Sequence, residues 1–233
     1  MARHYRVISA DGHVETPPDP WVKYVPEKWK DRAPRLIELP GGGEGWLIEG
    51  QPLLKNGQNI TGRGPIRFDT GSYYRSDGTP NDGAGPAQQR LREQDEDGID
   101  AEVLFPPVFA TRFIEGITDR DVYCSMIRAY NTWLGQDYCS VAPDRLIGNS
   151  VTPISDIDDA VAELQFAHDV GLRSVAFYMF PNGTGFPKGI RPEITGTGRR
   201  DGDRLHRMGR TRTAAVGVAR SGACRSVWAG SAW

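Results

Sequence analysis

Residues 146–180 read LIGNSVTPISDIDDAVAELQFAHDVGLRSVAFYMF. The two ends of this stretch, 146–151 and 174–180, are short apolar runs bounded by turn residues, and each is typical of a buried strand. Between them, apolar residues recur at helical spacing from Ser155 to Gly171, a residue type that favours the left-handed conformation in which helices end. A strand, a helix and a second strand in succession predict two parallel strands joined by a right-handed crossover.

The same alternation extends toward the N-terminus. Two more segments, 6–10 and 101–105, have the pattern of buried strands. One helix is predicted over 87–97, and another is predicted to begin at a Thr118 cap and to end near Pro143. The chain is therefore predicted to be an α/β protein, in which ligands gather at the carboxyl ends of the parallel strands.

Asp11-Gly12-His13 follows the first of these predicted strands. Side chains two residues apart on a strand point to the same face, so the Asp11 carboxylate and the His13 imidazole are expected to converge. A mixed set of carboxylate and imidazole ligands suits a divalent metal ion, with zinc and manganese as the candidates. These two residues are the predicted metal ligands, and the sequence assigns no catalytic residue.

The segment 40–86 is rich in Gly, Pro, Asn and Asp and is not expected to form a core helix. It is predicted to be an insertion between the first strand and the helix that precedes the second, with a small hairpin over 46–54. Long loops on a rigid scaffold often carry function. This insertion is expected either to cover a site or meet a partner subunit, or to be an excursion without a role.

The composition is that of an ordinary globular protein, with 233 residues, 38% hydrophobic and 25% charged. No apolar run approaches the roughly 20 residues that cross a bilayer, and the start does not have the pattern of a secretory signal. The expected location is therefore the cytoplasm, without membrane contact, and the expected partner is a small-molecule substrate. Cys124, Cys139 and Cys224 are widely spaced and are expected to be free thiols.

The last segment, 189–233, differs from the rest of the chain. After Ile190 there are nine arginines, no lysine and three acidic residues, a formal charge of +6, whereas the whole chain has −2. The segment lacks apolar periodicity and is predicted to be disordered, a divergent terminus or the product of a shifted reading frame. A basic tail is also typical of nucleic-acid binding, but no aromatic residue is interleaved with these arginines before Trp228, so nucleic acid is not the expected partner.

Several stretches carry a further signal when they are taken together and in order. They are 8–14 (ISADGHV) with 17–21 (PPDPW), 90–106, 129–134 (AYNTWL), and 143–148 (PDRLIG) with 171–173 (GLR). Together they resemble the amidohydrolase-related family, the branch of the amidohydrolase superfamily that contains aminocarboxymuconate semialdehyde decarboxylase and other aromatic-acid decarboxylases and hydrolases. The resemblance covers about 6–187. The family often places Glu directly before the proline pair, where this chain has Thr16 and carries Glu15 one position earlier.

The resemblance implies a TIM-like (β/α)8 barrel, of which the unit 1–188 would supply about the first four βα units. It also implies a metal-dependent hydrolase or a non-oxidative decarboxylase that acts on a small organic substrate, with aromatic and carboxylic compounds as candidates. In the family, the metal lies on an acid-x-His or His-x-His pair from the first strand, on histidines from the fifth and sixth strands, and on an aspartate from the eighth. Asp11 and His13 match the first pair, and no residues of this chain match the others.

The remaining histidines, His4, His168 and His206, are expected to be solvated or packing residues, because they precede the first strand, lie on an outer helix or belong to the tail. The alternative to an enzyme is a non-catalytic binding or assembly module, in which half a barrel dimerises and the tail contacts nucleic acid. Half a barrel also leaves the first and fourth strands with an unpaired edge, which predicts low solubility or association into a homo-oligomer.

Overall fold

The computed structural model describes residues 4–17, 19–38, 44–49, 51–53, 73–107, 117–154, 156–177 and 214–217. The strands in chain order are β1 (Ile8–His13), β2 (Arg35–Glu38), β3 (Glu44–Ile48), β4 (Gln51–Leu53), β5 (Ala101–Phe105), β6 (Leu146–Val151), β7 (Ser174–Phe177) and β8 (Ala214–Gly217). The α-helices are α1 (Asp19–Tyr24), α2 (Ala87–Asp97), α3 (Arg120–Thr132) and α4 (Ile157–Asp169).

The main sheet has the strand order β1-β5-β6-β7-β8. The first three neighbouring pairs are parallel, and β8 is antiparallel to β7. Helices separate the parallel strands along the chain, so the predicted α/β class is confirmed as a mixed fold with a parallel sheet. Closure into a barrel and the boundary at residue 188 remain predictions.

Two of the predicted strands have different limits in the structure. The first was expected over 6–10, but β1 runs over Ile8–His13 and therefore includes Asp11 and His13. A register shift against β5 between Ser9 and Gly12 accommodates this extension. The strand expected over 174–180 ends at Phe177 in the structure, and residues 178–180 lie outside the described residues.

The β7 edge of the sheet is paired, contrary to the prediction of an open fourth strand. Four residues of the segment 189–233, those of β8, form an antiparallel ladder with β7. The remainder of that segment, with its arginines, lies outside the described residues. β1 is still the first strand of the described sheet, and no described strand pairs with its outer edge.

Aspartates cap two of the helices, each one residue later than predicted. The Asp119 carboxylate accepts hydrogen bonds from two backbone N–H groups of the first turn of α3, at 3.1 and 3.3 Å, so Thr118 is not the cap. Similarly, Asp156 caps α4 by accepting from the Asp158 N–H at 2.9 Å, whereas the predicted start at Ser155 lies outside the described residues. Aspartate competes well for this position because its carboxylate both accepts the N–H bond and suits the positive end of the helix.

The predicted helix over 87–97 is confirmed as α2, and Gly98 closes it in the left-handed region at φ 70°. The α3 path continues beyond Thr132 as a π-helix over Trp133–Tyr138 and a 3-10 turn over Cys139–Val141, so helical structure ends just before Pro143, near the predicted position.

The hydrophobic core contains the apolar face of α3 that its spacing predicts. The buried side chains of that face and its π-helical continuation are Val122, Met126, Ile127, Tyr130, Leu134 and Tyr138. The strands contribute Leu104 and Leu146, both at most 1% exposed. Each such side chain contributes about 1.5–3 kcal/mol through removal from water. Packing against the sheet, rather than helix propensity, therefore stabilises α3 in this position.

A second, three-stranded antiparallel sheet has the order β2-β3-β4. The predicted hairpin is confirmed in β3 and β4, whereas β2 was not predicted. The Trp46 ring of β3 packs edge-on against Trp21 of α1, with ring centroids 6.3 Å apart. Arg32 ties the same sheet to α3, because its guanidinium donates to Glu49 and Asp119, each at 2.9 Å.

Two further sequence predictions concern the membrane and the thiols. Across the described ranges, no helix is both long enough and apolar enough to cross a membrane. Cys124 and Cys139 are thiols rather than disulfides, partly buried and buried respectively, while Cys224 lies outside the described residues.

Candidate metal site

Asp11 and His13 lie on the same face of β1, as their spacing predicts. The His13 Nε2 atom is 4.0 Å from the Asp11 Oδ1 atom. The Asp11 side chain is 90% exposed and that of His13 is 40% exposed, so both retain access to solvent. These two residues are called the Asp11–His13 pair below.

A backbone carbonyl fixes the tautomer of the His13 ring. The Nδ1 atom of His13 lies 2.7 Å from the Pro106 carbonyl oxygen, just beyond the carboxyl end of β5. Because a carbonyl oxygen only accepts, Nδ1 carries the hydrogen. In the neutral ring the Nε2 lone pair is then free and lies on the side of Asp11, an orientation that carbonyl partners commonly give to metal-binding histidines.

The surroundings of Gly12 identify which face of the sheet carries the pair. A Cβ atom at Gly12 would overlap the side chain of Glu102 on β5. That Glu102 side chain is bound by Arg90 and Gln94 of α2, so this face is the one covered by α2. Successive residues of a strand alternate in direction, and the Asp11–His13 pair therefore points away from the helix.

A buried ion pair supports β1 from the helix side. Arg90 donates to the two Glu102 carboxylate oxygens, at 2.7 Å from Nε and 2.6 Å from Nη2. Its Nη2 atom also donates to the backbone carbonyl of His13 at 3.1 Å, and the Gln94 amide adds a bond to Glu102 at 3.0 Å. This bidentate pair fixes the backbone that carries His13. Sequence reasoning missed it, although the charged Glu102 within the apolar run 101–105 was the available signal.

Glu15 lies two residues beyond His13 and is only 6% exposed. Burial raises the pKa of its carboxyl to about 8, and the Arg90 guanidinium opposes part of that rise. The group is therefore largely a neutral carboxylic acid at neutral pH.

The structure brings no other histidine to the pair. His4 is exposed, and the His168 side chain on α4 is 67% exposed beside Asp169. His206 lies outside the described residues. Within the described part of the chain, no group of three or more His, Cys, Asp or Glu residues is arranged to hold a metal ion. The Asp11–His13 pair is thus two ligands of a potential site, and its metal-binding role remains a prediction.

Comparisons with known proteins concern the fold. No family model and no curated protein matches the chain. A solved amidohydrolase from Mycobacterium avium subsp. paratuberculosis K-10 matches with a TM-score of 0.50 and 19% identity, over 73% of this chain and 49% of that one. The chain therefore spans about half the length of that enzyme and shares the fold of that half.

Two further solved structures show weaker similarity. The 2,6-dihydroxybenzoate decarboxylase from Rhizobium matches with a TM-score of 0.39 and 17% identity, over 72% of this chain and 37% of that one. A 2,6-dihydroxybenzoate decarboxylase complexed with 2,6-dihydroxybenzoate matches with the same TM-score and 19% identity, over 72% and 38% of the two chains.

Proposed function

We propose that this chain carries part of the active site of a metal-dependent hydrolase or non-oxidative decarboxylase of the amidohydrolase-related kind, acting on a small organic substrate. One observation carries the proposal: a carboxylate and a histidine of fixed tautomer converge at the carboxyl end of the first parallel strand. That edge of an α/β sheet is where ligands bind. The fold shared with the mycobacterial amidohydrolase supports the same assignment.

The Asp11–His13 pair fits a shared divalent ion. The Nε2 and Oδ1 atoms lie 4.0 Å apart, and a small rotation of the exposed Asp11 side chain would bring both within bonding distance of one ion. Oxygen and imidazole ligands suit zinc or manganese. A bound ion of this type acts as a Lewis acid that activates water or stabilises developing negative charge on a substrate. The third protein ligand would come from outside the described residues.

The residues of this chain prepare that site in three ways. The Pro106 carbonyl holds His13 in the tautomer whose Nε2 is a lone-pair donor. Arg90 binds the His13 carbonyl from the opposite side of the sheet. The backbone of β1 is therefore fixed at the residue that carries the imidazole. Gly12 leaves room for the Arg90–Glu102 pair and lets β1 lie directly against it.

Metal binding by the full chain tests the proposal. Titration with Mn²⁺, followed by electron paramagnetic resonance of the free ion, is expected to show one site. His13→Ala and Asp11→Asn are each expected to weaken binding about tenfold or more, because loss of one ligand from a small set removes much of the affinity. His168→Ala is the matched control and is expected to bind like the parent. Equal Mn²⁺ affinity in all four proteins would contradict the proposal.

A second candidate function is favoured by the +6 charge after Ile190. We propose, as the alternative to an enzyme, a binding or assembly module whose arginine-rich segment contacts nucleic acid. Such binding would weaken steeply with added salt because counterions are released from the phosphates. Deletion of 191–233 would then abolish salt-dependent binding to a random duplex, and absence of binding by the full chain at 50 mM salt would remove this candidate.

A further inference from the structure

Asn149 on β6 is a buried polar residue that the Asp11–His13 pair does not use. A Cβ atom at the preceding Gly148 would lie 2.8 Å from the Sγ atom of Cys139, in the helical segment that follows α3. Gly148 therefore faces the helices. Because neighbouring residues of a strand point to opposite faces, the Asn149 side chain lies on the face that carries the Asp11–His13 pair.

The strand register places Asn149 close to that pair. His13 is in register with Phe105, and Leu104 is in register with Gly148, so Phe105 and Asn149 follow at the next position of their two strands. Neighbouring strands are about 4.8 Å apart, and the backbones of His13 and Asn149 are therefore ~10 Å apart with Phe105 between them. The His13 and Phe105 rings lie side by side, with centroids 5.9 Å apart.

Neither amide atom of Asn149 has a hydrogen-bond partner, although the residue is 0% exposed. The hydroxyl oxygens of Thr16 and Thr152 are likewise buried and unpaired, and both residues follow the carboxyl ends of their strands. In the part of the chain that is described, three unsatisfied side chains thus lie toward the edge of the sheet at which α/β proteins bind ligands. Unpaired buried groups in such a position are costly to the fold and typical of a binding site.

We propose that the Asn149 carboxamide binds a small organic molecule through a group that has a hydrogen-bond donor and an acceptor side by side, with the apolar body of that molecule against Phe105. The inference rests on the proposed function for one point only, that the opposite end of the molecule lies at the Asp11–His13 pair.

The chemistry of the carboxamide selects the ligand class. Both Oδ1 and Nδ2 are unpaired, so a complementary group must donate to one and accept from the other. A carboxamide, or a hydroxyl next to a carbonyl, satisfies both atoms, whereas a group that only accepts leaves Oδ1 unpaired. A ring-sized body has the length to span the ~10 Å between the two polar ends, where it would lie against Phe105. Sites of this kind discriminate strongly, because a ligand that lacks the matching group leaves buried polar atoms unsatisfied.

Benzamide is the probe for the full chain, because its amide offers the donor and the acceptor together. We expect benzamide to bind with a dissociation constant on the order of 1 mM, measured by ligand-observed NMR. N,N-dimethylbenzamide keeps the ring and the carbonyl but has no donor, and is expected to bind about tenfold more weakly or not at all. Equal binding of the two compounds, or binding of neither, would overturn the inference, and this comparison needs no variant.

Asn149→Leu preserves the size of the side chain and removes both hydrogen-bonding atoms. It is expected to weaken benzamide binding about tenfold, while the thermal midpoint stays equal to or rises above that of the parent. Ser150→Ala changes the next residue, which faces the helices, and is expected to bind benzamide like the parent. A lower midpoint for Asn149→Leu together with unchanged benzamide binding would overturn the inference, because it would assign the amide a structural role.

The same titrations separate this inference from the proposed function. Suppose that His13→Ala binds Mn²⁺ as well as the parent does and still binds benzamide. Asn149 would then remain a binding residue, and the metal site would be removed. Mn²⁺ binding that depends on His13, without any discrimination between benzamide and its dimethyl derivative, would retain the metal site and remove Asn149.

Discussion

Gly12 and Glu102 lie so close together that a Cβ atom at position 12 would overlap the Glu102 carboxylate. The Glu102 carboxylate occupies the space that a Cβ atom would need, and it is held there by Arg90 and Gln94. The residue between the two proposed metal ligands is therefore constrained by a buried ion pair on the opposite face. The geometry of the Asp11–His13 pair and the packing of α2 depend on one another through this contact.

Gly12→Ala is expected to destabilise the protein by about 2–3 kcal/mol, because the added methyl group must displace a buried, hydrogen-bonded carboxylate. Urea denaturation measures the change. Gly78→Ala is the control: its Cβ atom would meet nothing within 4 Å, and only the positive φ of 81° opposes it, at a cost of about 1 kcal/mol. Equal costs at the two positions would contradict the close contact.

Glu102→Gln is expected to cost about 3 kcal/mol of unfolding free energy, since it leaves the Arg90 guanidinium largely buried without its countercharge. The Arg90 and Glu102 side chains are 12% and 8% exposed. The exposed pair between Lys23 and Asp137 serves as the comparison, and Asp137→Asn is expected to cost at most about 1 kcal/mol. A loss at Glu102 no larger than that at Asp137 would argue against a buried, dry pair.

The raised pKa of Glu15 predicts that the free energy of unfolding falls as pH rises. Burial raises the pKa of its carboxyl from the ordinary 4.5 to about 8, so the folded protein retains a proton that the unfolded chain has already released. The contribution of the protonated Glu15 carboxyl to the free energy of unfolding is fully present below about pH 4.5. It is lost progressively as the pH rises to about 8, by a few kcal/mol in total. Relative to Glu15→Gln, which cannot ionise, the parent is expected to lose stability between pH 5 and pH 8 in urea titrations. A constant difference between the two proteins over that range would show that Glu15 ionises normally.

Asn131→Ala is expected to cost about 3 kcal/mol, because it leaves several buried polar groups without partners. The Asn131 amide donates to the Val151 carbonyl at 2.7 Å and to Glu163 at 2.8 Å, and its oxygen accepts from the Val151 N–H at 2.9 Å. Thr132→Ala, at the next residue, removes only an exposed bond to the preceding turn and is expected to change stability by less than about 0.5 kcal/mol. Thermal unfolding of both variants checks the contrast.

The helices and strands were largely predictable because their signals are local. Periodic apolar residues placed the buried face of α3, and the short apolar runs at 101–105 and 146–151 became β5 and β6 with the limits predicted. The convergence of Asp11 and His13 followed from the two-residue repeat of a strand, and it is seen at 4.0 Å. Their role as metal ligands stays a prediction.

Features that depend on contacts between distant segments were not predictable in this way. The Asp119 carboxylate, which caps α3, also accepts a hydrogen bond from Arg32, 87 residues earlier in the chain. Asn131 likewise forms hydrogen bonds with the distant residues Val151 and Glu163. The strand β2 exists because β3 pairs with it. None of these partners is marked by periodicity or by neighbouring residues.

Local sequence patterns were enough to predict the order of β1, β5, β6 and β7, the helices α2, α3 and α4, and the spacing that places Asp11 and His13 on one face, since these follow from backbone geometry over a few residues. Contacts between distant segments determine which face that is, which carbonyl fixes the His13 tautomer, and that a side chain at position 12 would overlap Glu102. They also determine that Asn149 is buried without a partner. These properties arise where strands and helices far apart in the chain meet, and there the free energy depends on distances through space rather than along the sequence.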